Sequence, residues 1–156
     1  MNSNFKTLCE TFINENYITY YVKLVLDIDG IYHDIGYFSF HGKHINNKLF
    51  NSGNTISMNI NIEDDYQNKG LSRFMISSLL KYCLEQDTSI RKDQLLTIDG
   101  DGSGGFWDYI GMKQGRYSYM SDYRASTNLN HETVGYEKEI TFSNLSYWAL
   151  GKRFGI

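Results

Sequence analysis

The chain has 156 residues, 15% of them aromatic and 21% charged, with a formal net charge of −3 and no proline. That size and aromatic content exclude a disordered chain and predict one globular domain over 1–156. The small negative charge, with no long basic run, excludes nonspecific nucleic-acid binding as the main task.

Asn4 to Asn14 places Phe5, Leu8, Cys9, Phe12 and Ile13 on one helical stripe, with Asn4 as N-cap. Ile18 to Ile28 then alternates Ile18, Tyr20, Val22, Leu24, Leu26 and Ile28 with mostly polar residues, the two-residue period of a strand. Asp29-Gly30 follows, and a second run extends from Ile31 to Phe40. An Asp-Gly pair between two such runs predicts a hairpin, because both turn positions need positive φ. His41 to Asn54 is polar and reads as a loop. Ile56, Met58, Ile60 and Ile62 alternate with Ser57, Asn59 and Asn61 as the next strand. After the turn Gln67-Asn68-Lys69-Gly70 the apolar positions become Leu71, Phe74, Met75, Leu79 and Cys83, which is helical spacing. Gln94 to Ile98 is a short apolar strand, so strand, helix and strand form a βαβ unit with parallel neighbours. Asp99 to Gly105 is a glycine-rich turn, Phe106 to Ile110 a short helix and Met112 to Met120 a candidate strand. Ser121 to Gly135 has no strong period, and Tyr136 to Phe142 alternates again. Leu145 to Phe154 fits either a strand continuation or a short helix.

Cys9 and Cys83 both fall in runs read as helical and apolar, which suits two buried thiols in a reducing compartment. No apolar run reaches membrane-spanning length and the first residues lack a signal-peptide core. The chain is therefore expected to be soluble and cytoplasmic, with no membrane partner.

The run Ile62-Glu63-Asp64-Asp65-Tyr66-Gln67-Asn68-Lys69-Gly70-Leu71-Ser72 resembles the acetyl-CoA pyrophosphate loop of the GNAT superfamily of N-acetyltransferases, Gln/Arg-x-x-Gly-x-Gly/Ala after a strand. Gln67, Gly70 and Ser72 fall on its three marked positions, with serine for the last small residue. The physical basis is a helix start, whose first N–H groups lack internal partners and carry partial positive charge. A second stretch, Asp99 to Met112, is similar to the turn, helix and closing Gly-Phe that follow the family's next strand, with Gly111-Met112 at the close. Trp107 stands where the family places a tyrosine that protonates the leaving thiolate. An indole N–H is not a useful acid, and the nearby phenol is Tyr109. The same stretch sets Asp99, Asp101, Ser103 and Gly104 at positions of a calcium loop, but its twelfth position is Ile110 rather than a bidentate carboxylate. No metal ligand set is expected from it, nor from His41 and His44, which lack further partners nearby.

The resemblance implies an α+β fold: a GNAT-like mixed, mostly antiparallel sheet flanked by helices, with one central parallel βαβ unit. It departs from the family at the start, where a strand and two helices are usual before the first hairpin and this chain has room for one helix. It implies acetyl-CoA as acyl donor and direct transfer to the amine of a small molecule or peptide. The cofactor-binding candidates are Ile60, Asn61, Ile62, Gln67, Asn68, Lys69, Gly70, Leu71, Ser72, Ser103, Phe106 and Trp107, with a backbone N–H near Asn61 facing the thioester oxygen. If the two parallel strands diverge, the donor's pantetheine can pair with the exposed edge as an added strand. Strand parity puts Glu63 with Ser57, Asn59 and Asn61, making it the candidate base; Tyr109 is the candidate acid. Asp99 is a second base candidate, and an acidic surface residue is the plainer reading of Glu63. The alternatives are a catalytically inactive acyl-CoA-binding module on the same fold and a calcium-binding or structural interaction domain. A monomer or homodimer is equally compatible with the chain.

Overall fold

The computed structural model describes residues 4–50, 56–88, 90–98, 113–114 and 138–152. In chain order they form β1 (Phe5–Ile13), β2 (Tyr17–Ile28), β3 (Ile31–Lys43), β4 (Ile56–Ile62), a 3-10 turn (Asp64–Tyr66), α1 (Leu71–Gln86), β5 (Leu95–Ile98), β6 (Lys113–Gln114), β7 (Lys138–Thr141) and α2 (Phe142–Leu150). The seven strands make one sheet in the order β1-β2-β3-β4-β5-β7-β6. β4 and β5 run parallel, and every other described pair is antiparallel. This is the mixed, mostly antiparallel α+β arrangement expected from the sequence, with one parallel βαβ unit built from β4, α1 and β5.

The alternation of the strands decides which face is buried. Ile18, Tyr20, Val22 and Leu24 of β2, Phe38 and Phe40 of β3, Ile56 and Met58 of β4, and Leu96 and Ile98 of β5 all enter one core. α1 covers that face with Met75, Ile76, Leu79, Leu80 and Cys83, and α2 adds Phe142 and Leu145. Each large side chain so buried contributes roughly 1.5–3 kcal/mol. Phe50, in the β3–β4 connection, stacks on Tyr20 and meets Phe40 and Phe142 edge-on. Its backbone N–H donates to the buried Asp87 carboxylate at 3.1 Å, which ties this connection to the end of α1.

The Asp29-Gly30 hairpin forms as expected, with φ of 53° and 84° at the two turn positions, and the Gly30 N–H donates to Asp27 Oδ1 at 2.8 Å. The expected helix over Asn4 to Asn14 is not there. Phe5–Ile13 is a strand paired with β2 along its whole length, so Cys9 lies in a strand and no helix among the described residues precedes the Asp29-Gly30 hairpin. The helical stripe was a coincidence of spacing. In the strand, Thr7 and Thr11 face α1 and are held there by Ser78 and Tyr82, through oxygens 2.9 Å and 2.6 Å apart. Leu8 and Phe12 fall on the opposite, exposed face. Cross-strand pairing and these hydroxyl contacts override the local pattern.

Two boundaries also move. β3 continues through His41 to Lys43, because His41 pairs with Thr19 and Ser57 on its two sides. The final segment, ambiguous in sequence, is a helix: Thr141 Oγ1 accepts the Asn144 N–H at 3.2 Å as an N-cap, and Gly151 ends it at φ 73°. Thr141 also closes β7, so one threonine ends the strand and starts the helix. The expected turn and helix over Asp99 to Ile110, and most of the candidate strand and the loop up to Gly135, lie outside the described residues.

Candidate functional site

β4 is paired on its two edges over different lengths. β3 runs beside it from Ser57 to Ile62, while β5 pairs with it at Ile56 and Ser57 alone. Beyond Ser57, no strand among the described residues accompanies β4 on the β5 side. The described part of β5 itself ends at Ile98, one residue past the last of these pairs, so among the described residues the distal half of β4 has a strand on its β3 side alone.

The register identifies which backbone groups the other edge offers. The Glu63 N–H donates to Ile35 O at 2.9 Å, so residue 63 faces β3. In an antiparallel pair the N–H and C=O of one residue point the same way, and neighbours alternate. Asn61, Asn59 and Ser57 thus turn their backbone groups to β3, and Ile60 and Ile62 turn theirs to the β5 side. Two contacts agree with this parity. Thr97 Oγ1 on β5 donates to Ile56 O at 3.5 Å, and Gln67 Nε2 donates to Ile62 O at 2.8 Å. Of the amides near Asn61, that of Asn61 itself faces β3, and those of Ile60 and Ile62 face the β5 side.

Side chains on β4 follow the complementary rule. Ile56 and Met58 are buried under α1, Ile60 and Ile62 are half-buried, and Ser57, Asn59, Asn61 and Glu63 are exposed on the opposite face. Tyr37 lies directly opposite Asn61 on that face and stacks on Tyr21, their ring centroids 5.9 Å apart.

The chain then turns through Asp64–Tyr66 into the loop that precedes α1. Gln67 is spent inward: besides Ile62 O, its amide donates to Asp64 Oδ1 at 3.2 Å, fastening the loop to the end of β4. Asn68 and Gly70 both have positive φ, 61° and 78°. A Cβ built on Gly70 would meet nothing within 4 Å, so the glycine answers a backbone requirement and leaves open space beside the helix start. Gly70 is the N-cap of α1, and no side chain caps that end. The first amides of α1, at Leu71, Ser72 and Arg73, keep the donor capacity that a capping side chain would otherwise take up. Leu71 is buried as a core residue, so its contribution to a ligand is its backbone. Lys69 and Arg73 are exposed beside this helix start, and the Arg73 guanidinium sits 4.9 Å from the centre of the Trp148 ring on α2.

The arrangement suits an extended ligand with an anionic end. Ile60 and Ile62 offer strand-like pairing, and a few residues on, an uncapped helix start with two cations nearby offers an anion seat. A pyrophosphate-bearing thioester has both parts. Glu63, Asp64 and Asp65 are exposed between the end of β4 and the loop that leads to the helix start. The sequence candidates thus separate. Ile60, Asn61, Ile62, Gln67, Asn68, Lys69, Gly70, Leu71 and Ser72 lie along the distal half of β4, the loop and the α1 start, with Glu63 at the end of β4. Ser103, Phe106, Trp107 and Tyr109 lie outside the described residues. Arg73 was missed in sequence, although a cation in the first turn of a helix, where the dipole disfavours it, was a legible signal.

His41 and His44 serve the frame. His41 Nδ1 is 2.7 Å from Thr19 Oγ1, while His44 Nε2 is 2.9 Å from Asn14 O and its Nδ1 accepts the Asn47 N–H at 3.3 Å. No helix among the described residues is long and apolar enough to cross a membrane.

No family model and no curated protein matches the chain. Solved structures similar to it include a chain of a KacTA–DNA complex, at 12% identity over 82% of this chain and 70% of that one, with a TM-score of 0.49. A domain from Methanocaldococcus jannaschii is 15% identical over 82% of this chain and 68% of the other, with a TM-score of 0.46. A GNAT-family acetyltransferase from Bacillus anthracis is 15% identical over 78% of this chain and 65% of the other, with a TM-score of 0.43. At these values the reading of the site rests on the chain's own geometry: a β4 whose described pairing with β5 ends at Ser57 and an uncapped α1 start a few residues beyond it.

Proposed function

We propose that the protein is an acetyl-CoA-dependent N-acetyltransferase that passes the acetyl group directly to an amine. The observation that carries this reading is the backbone direction of β4: beyond Ser57, where its described pairing with β5 ends, Ile60 and Ile62 turn their amides away from β3. In the proposal the pantetheine arm of the donor pairs with that side of β4, and one of the two amides faces the thioester oxygen, where negative charge develops as the amine attacks. The pyrophosphate rests on the amides of Leu71, Ser72 and Arg73, with Lys69 beside it. Asn68 and Gly70 give the loop its shape, and Gln67 locks it to β4.

The acceptor must be neutral when it attacks. Glu63, exposed at the end of β4, is the proposed base, taking the proton directly or through one water. The C–S bond breaks as the amide bond forms, and the departing thiolate needs a proton or a donor; Tyr109 is the proposed source. A small-molecule amine and a peptide amine both remain acceptors of the right chemistry.

Trp107 in place of the usual tyrosine favours a second reading, an acyl-CoA-binding module without turnover. The experiment is thioester loss from acetyl-CoA over a panel of amines, run beside calorimetry. Turnover lost in Glu63→Gln or Tyr109→Phe with donor binding kept supports the enzyme. Donor binding with no turnover on any amine supports the module. Absence of donor binding overturns both.

A further inference from the structure

β1 is an edge strand of nine residues: it pairs with β2 on one side, and no strand among the described residues pairs with the other. The Asp27 N–H donates to Asn4 O and the Asn14 N–H to Tyr17 O, so the even-numbered residues face β2. Phe5, Thr7, Cys9, Thr11 and Ile13 therefore direct their N–H and C=O groups outward, a template for another strand. Natural sheets blunt such edges with proline, short length or bulges; this one has no proline and pairs with β2 without a register shift. It is also apolar on its flanks. Leu8, Phe12 and Ile13 are 39%, 53% and 48% exposed. Phe74, 41% exposed, is on the α1 stripe with Ser78 and Tyr82, the two residues that hold Thr7 and Thr11 from above.

We propose that β1 is the seam of a homodimer, two copies pairing edge to edge in antiparallel fashion about a two-fold axis through Leu8. The occupant is a second copy because the strand is complementary to itself. In this register Lys6 stands opposite the partner's Glu10, and the symmetry forms that ion pair twice. Leu8 meets the partner's Leu8 in the closely spaced, non-hydrogen-bonded position, while Thr7 pairs with the partner's Cys9 and Phe5 with the partner's Thr11 through the outward backbone groups. Moving the axis to Cys9 would set Lys6 against the partner's Phe12 and Leu8 against the partner's Glu10, losing both matches. Lys6 already contacts Asp27 at 3.0 Å, and an ammonium with three donors serves both carboxylates. The result is one continuous sheet across both copies, with the two Phe74 rings flanking the seam.

The test is sedimentation velocity of the full chain across the micromolar range, with two variants. A parent dimer is expected, with dissociation strengthened at least tenfold in Leu8→Lys, where a charge meets its own copy on the axis. Leu8→Cys, oxidised, is expected to run as a covalent dimer, because the two β-carbons face each other; Lys6→Cys, whose counterpart is Glu10, is not. Cys9 is an internal control, since it faces the partner's Thr7. A monomer at every concentration, a dimer indifferent to Leu8→Lys, or a Leu8→Cys protein that fails to cross-link overturns the proposal. The cross-linking arm stands even if Leu8→Lys fails to fold.

Discussion

Gly36 lies against the stretch of β4 on which the proposed donor site depends. It is paired with Ile62, beside a bulge where Leu24 pairs with Gly36 and Val25 with Asp34, leaving Ile35 as the extra residue. A Cβ added there would sit 2.8 Å from Asn61 O, 3.1 Å from Ile62 Cγ1 and 3.3 Å from Ile62 Cα. The nearest atom is backbone, so the clash is relieved by moving the strand rather than a side-chain tip. Overpacking of this kind costs about 1–3 kcal/mol. For a chain of this size that lowers the melting temperature by about 2–12 °C. The displaced segment carries the Ile62 amide and the carbonyl that Gln67 holds. Acetyl-CoA affinity in Gly36→Ala should therefore fall about tenfold, the equivalent of about 1.4 kcal/mol. Gly30→Ala is the control: its φ is 84° and a Cβ meets nothing within 4 Å, so it strains a distant turn by about 1–2 kcal/mol without touching β4. Differential scanning calorimetry and isothermal titration of both variants give the comparison. Equal donor affinity in Gly36→Ala and the parent would refute the reasoning, whatever the melting temperatures.

Gly70→Ala has room for its methyl but must hold φ near 78°, so a loss of about 1–2 kcal/mol in stability and weaker acetyl-CoA binding are expected, with Gly70→Asn closer to the parent on both counts. Thr141→Ala removes the α2 cap, and chemical denaturation should show a loss of about 1 kcal/mol with donor affinity unchanged. Asp87→Ala strips the buried Phe50 N–H of its acceptor, and the same measurement should show a loss of about 1–3 kcal/mol. Burial, with Glu85 adding to it, pushes the Cys9 thiol up to about 11, and burial raises Cys83 as well. At pH 8 the reactive thiolate of Cys9 is then scarce, and a thiol reagent should label the folded chain about 100-fold more slowly than the unfolded one, the rate climbing as pH approaches 11. Fast labelling of both thiols in the folded chain at pH 8 would show the burial to be wrong.

The parts legible in sequence were those in which one local rule has one solution. Asp29-Gly30 needs two positive φ values and makes a tight hairpin, and the strict alternation from Ile56 to Ile62 followed by helical spacing from Leu71 makes strand and then helix. β1 was illegible because both of its faces are mixed: threonines turn inward to meet hydroxyls on α1, and Leu8 and Phe12 turn outward. Nothing local to Phe5–Ile13 announces that Ser78 and Tyr82, some 70 residues on, will receive those threonines. In the site, parity correctly sorted the side chains of β4. Backbone direction, by contrast, depends on the register with β3, which turns the Asn61 amide to β3 and those of Ile60 and Ile62 the other way. Gln67 falls on a motif position, yet its amide closes on Ile62 O, a contact set by how the 3-10 turn folds back.

Residue-resolved amide hydrogen exchange along β4, with and without acetyl-CoA, tests the account at its centre. In the protein alone, Asn59 and Asn61 should be protected by β3 while Ile60 and Ile62 exchange quickly, and acetyl-CoA should slow Ile60 and Ile62 selectively. Uniform protection along β4 in the free protein, or an exchange pattern that saturating acetyl-CoA leaves unchanged, would contradict it.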